Sequence, residues 1–200
     1  MITPACVAFS GSSGGRAAPA GNADLPTLPH ADGQVVIPAQ SAASGQARII
    51  TVYLHYPGGR LENVKASTGL MLCLHNWGGT GFCEGRESCS PDTYDAVVIG
   101  VDYYQSGDTP DSPLPYDFGY LQAADALRAL WFVYHGLAAG HVPFDRMRIY
   151  GMGGSGGGNV IQMANKFAPH TFACIVDCSD RKSTRLNSSH SSVSRMPSSA

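Results

Sequence analysis

Residues 151–159 read GMGGSGGGN, and the serine in that run carries the clearest chemical potential in the chain. Gly153-Gly154-Ser155-Gly156-Gly157 fits G-x-S-x-G, at the place where an apolar run ends and a helical pattern begins. A nucleophilic serine needs that setting, because its hydroxyl must stand out from a very tight turn. Side chains two positions before and after it would collide with each other and with the neighbouring strand, and Gly153 and Gly157 remove them. A helix starting at Ser155 also aims its free N–H groups and positive dipole end at developing negative charge. The bland alternative is a glycine-rich turn with an idle serine.

A second glycine-bearing turn, His75-Asn76-Trp77-Gly78-Gly79, closes the apolar run that precedes it. Its glycines let the backbone approach a substrate carbonyl. Taken with GGSGG and the order of strands, HNWGG resembles the α/β-hydrolase superfamily, nearest to its esterases and prolyl-oligopeptidase-like serine hydrolases. The resemblance covers residues 34–179. It implies an acyl-enzyme on Ser155, an ester or peptide as the small-molecule substrate, and no cofactor or metal. It also implies an oxyanion hole made from the backbone N–H of Gly156 and that of Asn76 or Trp77. His75 is expected to tie its own loop by a hydrogen bond rather than to act as base.

The resemblance further implies a triad in the chain order serine, acid, histidine. Asp177 ends the last strand, a position some members use for the acid. His30 precedes the first strand and His55 lies within one; His135 and His141 flank the long helix, and His170 follows the serine's helix. None fits the late loop that delivers the base, so no catalytic histidine is assigned in this chain. The 200-residue chain is accordingly expected to be inactive or poorly folded on its own.

Two other readings compete. Gly151, Gly153 and Gly156 also fit G-x-G-x-x-G, with Asp177 following 21 residues after Gly156, as in a dinucleotide-binding oxidoreductase. That fingerprint normally follows the first strand of its domain, and it leaves HNWGG unexplained. A non-catalytic hydrolase-like binding module is the third reading.

The elements that must position these residues follow from periodicity. Strands are expected at 34–38, 47–56, 69–75, 94–103, 146–152 and 171–178, with 69–75 apolar enough to be buried on both faces. Helices are expected at 117–138 and 155–167, the first with Asp117 near its start and Gly140 past its end. Alternating strands and helices make an α/β domain with a mainly parallel sheet and helices on both faces. Short connections make the first strands antiparallel. Tyr103 and Tyr104 end a strand on the edge where sites gather, as pocket lining or as packing. Cys83 and Cys89 flank a short loop and could pair, whereas Cys73, Cys174 and Cys178 lie in strands and should behave as small buried hydrophobes. Asp108, Asp111 and Asp117 belong to a Pro-rich surface loop, and no cysteine or histidine spacing matches a zinc site.

Composition narrows the partners. The chain is 44% hydrophobic and 14% charged, with a formal charge of −2, which argues against nucleic acid. No apolar run reaches the ~18 residues of a membrane-spanning helix. Residues 1–33 carry turn formers without periodicity and read as a flexible or mis-started lead, with no clear signal peptide; secretion or a periplasmic location stays open. Residues 180–200 resemble the translation of a sequencing adapter, matching it at Asp180–His190 and Ser194–Ala200, so they read as an artefactual tail on the N-terminal portion of a hydrolase domain, 34–179. Without that tail the net charge is −5.

Overall fold

A computed structural model describes residues 25–41, 45–82, 89–109 and 116–178. The tail at 180–200, most of the lead at 1–24, and Cys83 and Asp111 lie outside the described residues. The strands are β1 (Gly33–Ala39), β2 (Arg48–His55), β3 (Gly69–Leu74), β4 (Ala96–Asp102), β5 (Ile149–Gly154) and β6 (Cys174–Cys178). The helices are α1 (Pro91–Tyr94), α2 (Tyr120–Ala139) and α3 (Gly156–Phe167).

The strands form one sheet in the order β1-β2-β4-β3-β5-β6. β2 runs antiparallel to both β1 and β4, while β4, β3, β5 and β6 are mutually parallel. The expected antiparallel start and parallel remainder are both present. β3 is buried along its whole length, and its side chains divide between two layers. Leu70, Leu72 and Leu74 join the main core with Ala126, Val133 and Leu137 of α2 and Val160, Ile161 and Ala164 of α3. Met71 and Cys73 face the other way, into a smaller cluster with Cys89, Ala96, Val98 and Met152.

The path of the chain fixes where a site can form. From β3 it passes through α1 to β4 on one side; from β5 it passes through α3 to β6 on the other. The loops leaving β3 and β5 therefore diverge, and the crevice between them is the topological switch point where open α/β sheets bind ligands.

Three expectations need correction. The flexible lead does not extend to residue 33. Leu28 is buried in the main core against α2, so close that a Cβ on Gly136 would lie 2.8 Å from its Cγ, and Asp32 accepts a hydrogen bond from the backbone of Tyr56. Cys89 is bonded to Cys73 rather than paired with Cys83, because Cys73 points into the smaller layer where Cys89 is also buried. Cys174 and Cys178 are exposed, since β6 has a strand on one side only among the described residues. No helix among the described residues is long and apolar enough to cross a membrane.

The Cys73–Cys89 bond closes a loop with a sequence separation of 16 that contains the whole turn after β3. A loop of that size contributes about 3 kcal/mol by restricting the unfolded chain. Reductant should therefore lower the unfolding free energy of the protein by about that amount in urea denaturation, and should have no further effect on Cys89→Ser. Equal curves with and without reductant would contradict this.

Candidate active site

At the end of β5, Ser155 has φ 49° and ψ −114°, a conformation that a residue with a side chain rarely adopts. It is exposed, while Gly157 and Gly158 beside it are buried. The turn is tight because backbone meets backbone. A Cβ on Gly153 would fall on the carbonyl group of Gly157 and lie 2.7 Å from the nitrogen of Gly158. A Cβ on Gly157 would fall on the carbonyl oxygens of Leu74 and His75, and one on Gly156 would lie 2.9 Å from the nitrogen of Trp77. The first turn of α3 is thus pressed against the end of β3, and the two glycine-bearing segments adjoin.

The loop after β3 is held by a buried polar network. His75 is almost wholly buried. Its Nδ1 lies 2.6 Å from the carbonyl oxygen of Asn76, which can only accept, so this nitrogen carries the proton. Its Nε2 then accepts from the Ser106 hydroxyl at 2.7 Å. Tyr103 stacks on the imidazole, with ring centroids 4.1 Å apart, and donates its hydroxyl to the His75 carbonyl at 2.5 Å. Burial pushes His75 below its ordinary pKa of 6.5. The Asn76 carbonyl also accepts from the nitrogen of Gly79 at 3.0 Å. Because the peptide is trans and planar, its other end, the Trp77 N–H, points away from those partners, and the Trp77 nitrogen lies against Gly156.

The segment after β4 is anchored in turn. Asp125 of α2 is fully buried, paired with Arg48, and accepts from the nitrogen of Tyr104 at 2.9 Å. Burial raises its pKa despite Arg48. Asp102 accepts from the Tyr53 hydroxyl and from the nitrogen of Gly81, both at 2.7 Å, which ties the far side of the β3 loop to β4. Burial and then Asp102 push the Tyr53 hydroxyl up to about 12.

The expected residues are thus partly gathered. Gly156 meets Trp77 and Gly157 meets the carbonyls of Leu74 and His75, so the turn that holds Gly153 and Ser155 lies against the loop that holds Asn76. Asp177 stands on β6 in register with Gly153, and its carboxylate accepts from Gln162 of α3. His75 has both ring nitrogens engaged, one by Asn76 of its own loop and the other by Ser106 in the segment after β4. His55 lies on β2, second from the opposite edge of the sheet, paired with Asp32 at 2.7 Å; His135 and His141 lie at the far end of α2, and His170 lies beyond the far end of α3. Of the described histidines, His75 is the one whose backbone reaches the Ser155 turn, and its ring is turned into the buried network. For a dinucleotide, the space above Gly156 is filled by the Trp77 backbone. The described residues hold no cluster of three or more metal-ligating side chains. Sequence reasoning missed Ser106 and Asp125. Asp125 carried a signal, an acidic residue set among the apolar positions of a helix; Ser106 carried none.

No family model matches the chain, and no curated protein matches it. Solved structures do. Acylaminoacyl peptidase in complex with Z-Gly-Gly-Phe-chloromethyl ketone superposes with a TM-score of 0.50 at 14% identity, over 74% of this chain and 23% of its own. The uncomplexed Pyrococcus horikoshii acylaminoacyl peptidase gives 0.50 at 14% identity, over 77% and 23%. Brefeldin A esterase, a bacterial homologue of human hormone sensitive lipase, gives 0.45 at 21% identity, over 72% and 37%. The chain therefore spans well under half the length of these structures, and what it shares with the peptidases is the α/β-hydrolase fold.

Two outcomes test this geometry. Gly153→Ala puts a methyl group into the Gly157 backbone and should cost more than about 3 kcal/mol, as overpacking with strained backbone does. Gly33→Ala, where the nearest atom is 3.7 Å away, should be close to neutral; equal thermal shifts would contradict the packing. His75 binds a proton less readily in the folded than in the unfolded chain, so stability should fall as pH drops below 6.5. In His75→Gln that slope should be shallower, as measured by urea midpoints across the range.

Proposed function

We propose that this chain is the nucleophile-bearing part of a serine hydrolase that cleaves carboxylic esters, or peptides, through an acyl-enzyme on Ser155. The observation that carries this reading is the junction of two backbones at the switch point. It puts an exposed, strained serine in a turn whose next residue, Gly156, packs against the backbone nitrogen of Trp77. In the proposed reaction Ser155 Oγ adds to the substrate carbonyl carbon. The carbonyl oxygen gains negative charge and is held by the N–H groups of Gly156 and Trp77. Collapse expels the alcohol or amine, and water then releases the acid and restores the serine.

Trp77 is preferred to Asn76 as the second donor, because the Asn76 carbonyl is fixed by His75 and Gly79 and so fixes the direction of the following N–H. Removing one such donor typically costs on the order of 10²–10³ in kcat. The proposed base and acid lie outside the described residues, and Asp177, already engaged by Gln162, is the weaker candidate for the acid.

A fluorophosphonate probe should label the full-length protein at Ser155, and Ser155→Ala should abolish labelling and lower ester turnover on the order of 10⁶-fold. Binding of a nicotinamide or flavin with no labelling would sink the hydrolase in favour of the oxidoreductase reading, and neither binding nor labelling would leave a non-catalytic module. Steady hydrolysis by the 200-residue chain alone, lost in Ser155→Ala, would place a base inside it.

A further inference from the structure

Three aromatic rings run outward from the Ser155 turn. Trp77 is 42% exposed, Tyr116 is half-buried and Phe118 is 69% exposed. Tyr116 meets Trp77 edge-on with centroids 6.5 Å apart, and Phe118 meets Tyr116 edge-on at 5.2 Å. The inner end of the strip is fixed at the turn, where the Trp77 backbone packs on Gly156, the residue next to Ser155. The middle is fixed to the same helix, because the Tyr116 hydroxyl is hydrogen-bonded to Gln122 of α2 and to Asn159, about one helical turn beyond Ser155.

The outer end is fixed at a cost. Phe118 has φ 54° and Gly119 has φ 90°, and a Cβ on Gly119 would lie 3.2 Å from the Asn159 amide nitrogen. A bulky residue in the left-handed region is a strained one, and such strain persists where its surroundings over-determine it. Here the strain is spent on presenting a large apolar ring to solvent, which does nothing for the fold. It does extend a line of rings whose first member, Trp77, has its backbone packed on Gly156, next to Ser155.

We propose that Trp77, Tyr116 and Phe118 form a recognition strip for an aromatic ring of the substrate, so that the site prefers aryl and arylalkyl esters to saturated ones of equal size. The position of the strip takes its meaning from the Ser155 reading; its binding does not depend on Ser155 being reactive. An aromatic guest can continue the edge-on pattern and gain contacts beyond the area it buries, whereas a saturated ring buries similar area without them. The rings that discriminate would be those of Tyr116 and Phe118, since Trp77 also supplies a backbone donor.

The chain has two tryptophans, Trp77 and Trp131, so 5-fluorotryptophan labelling should give two fluorine resonances, assigned with Trp131→Phe. Phenylacetone, a ketone that cannot be hydrolysed, should shift the Trp77 signal and saturate at about fivefold lower concentration than cyclohexylacetone. Phe118→Leu, which keeps apolar bulk and removes the ring, should erase that preference, and Ser155→Ala should leave it intact. Equal affinity for the two ketones, an unmoved Trp77 signal, or an unchanged preference in Phe118→Leu would overturn the proposal. So would sedimentation showing a ligand-free dimer that Phe118→Leu dissociates, because the strip would then be covered by a second copy. Intact Trp77 shifts with no fluorophosphonate labelling would sink the hydrolase and keep the strip; labelling without the shifts would do the reverse.

Discussion

The direct contact of two backbones at the ends of β3 and β5 is the constraint on which the rest depends. Gly156 and Gly157 lie so close to residues 74–77 that no side chain fits between them. This closeness requires β3 and β5 to be adjacent in the sheet, although β4 and α2 separate them in sequence. The long crossover through α2, packed over the apolar face of β3, is what delivers β5 to that place. The unusual backbone at Ser155 is thus a local cost met by the burial of two helices against a wholly buried strand.

A second level of support comes from polar groups withdrawn from water. His75, Tyr103, Ser106 and Asp125 link the β3 loop to the segment after β4 and then to α2 and β2. A buried network of this kind is stable only when its members are satisfied, and each of these four has a partner of complementary chemistry. His75 suits its place because burial keeps the imidazole neutral, so it donates to one side and accepts from the other. The disulfide adds a covalent tie from the opposite face of the same strand.

Much of the fold was legible in the residues. The continuous apolar runs of β3 and β4 matched strands buried on both faces, and the apolar spacing of α2 matched a helix with one face in the core. G-x-S-x-G at a strand-to-helix junction was legible because its reason is steric and local. The partner of Cys89 was not legible, since it depends on which layer Cys73 enters, and β3 buries both layers. Nor was the exposure of Cys174 and Cys178, because the position of β6 in the sheet is a property of topology rather than of its apolar sequence. Asp117 was read as the start of α2, yet Gly119 holds that place and Asp117 instead accepts from the nitrogen of Gln122. The aromatic strip was hidden for a similar reason, as Phe118 acquires its direction from a left-handed backbone that no side-chain pattern announces.

The crowding around the serine also bears on how such a site changes over generations. At Gly153, Gly156 and Gly157 even a methyl group meets backbone atoms, so a substitution there must displace the turn itself. Room for variation lies at the rim, at Trp77 and Phe118, where side chains reach solvent and the backbone of the turn is left alone. The turn that holds the serine and the rim around it are therefore under separate hereditary control: one frozen by geometry, the other free to drift.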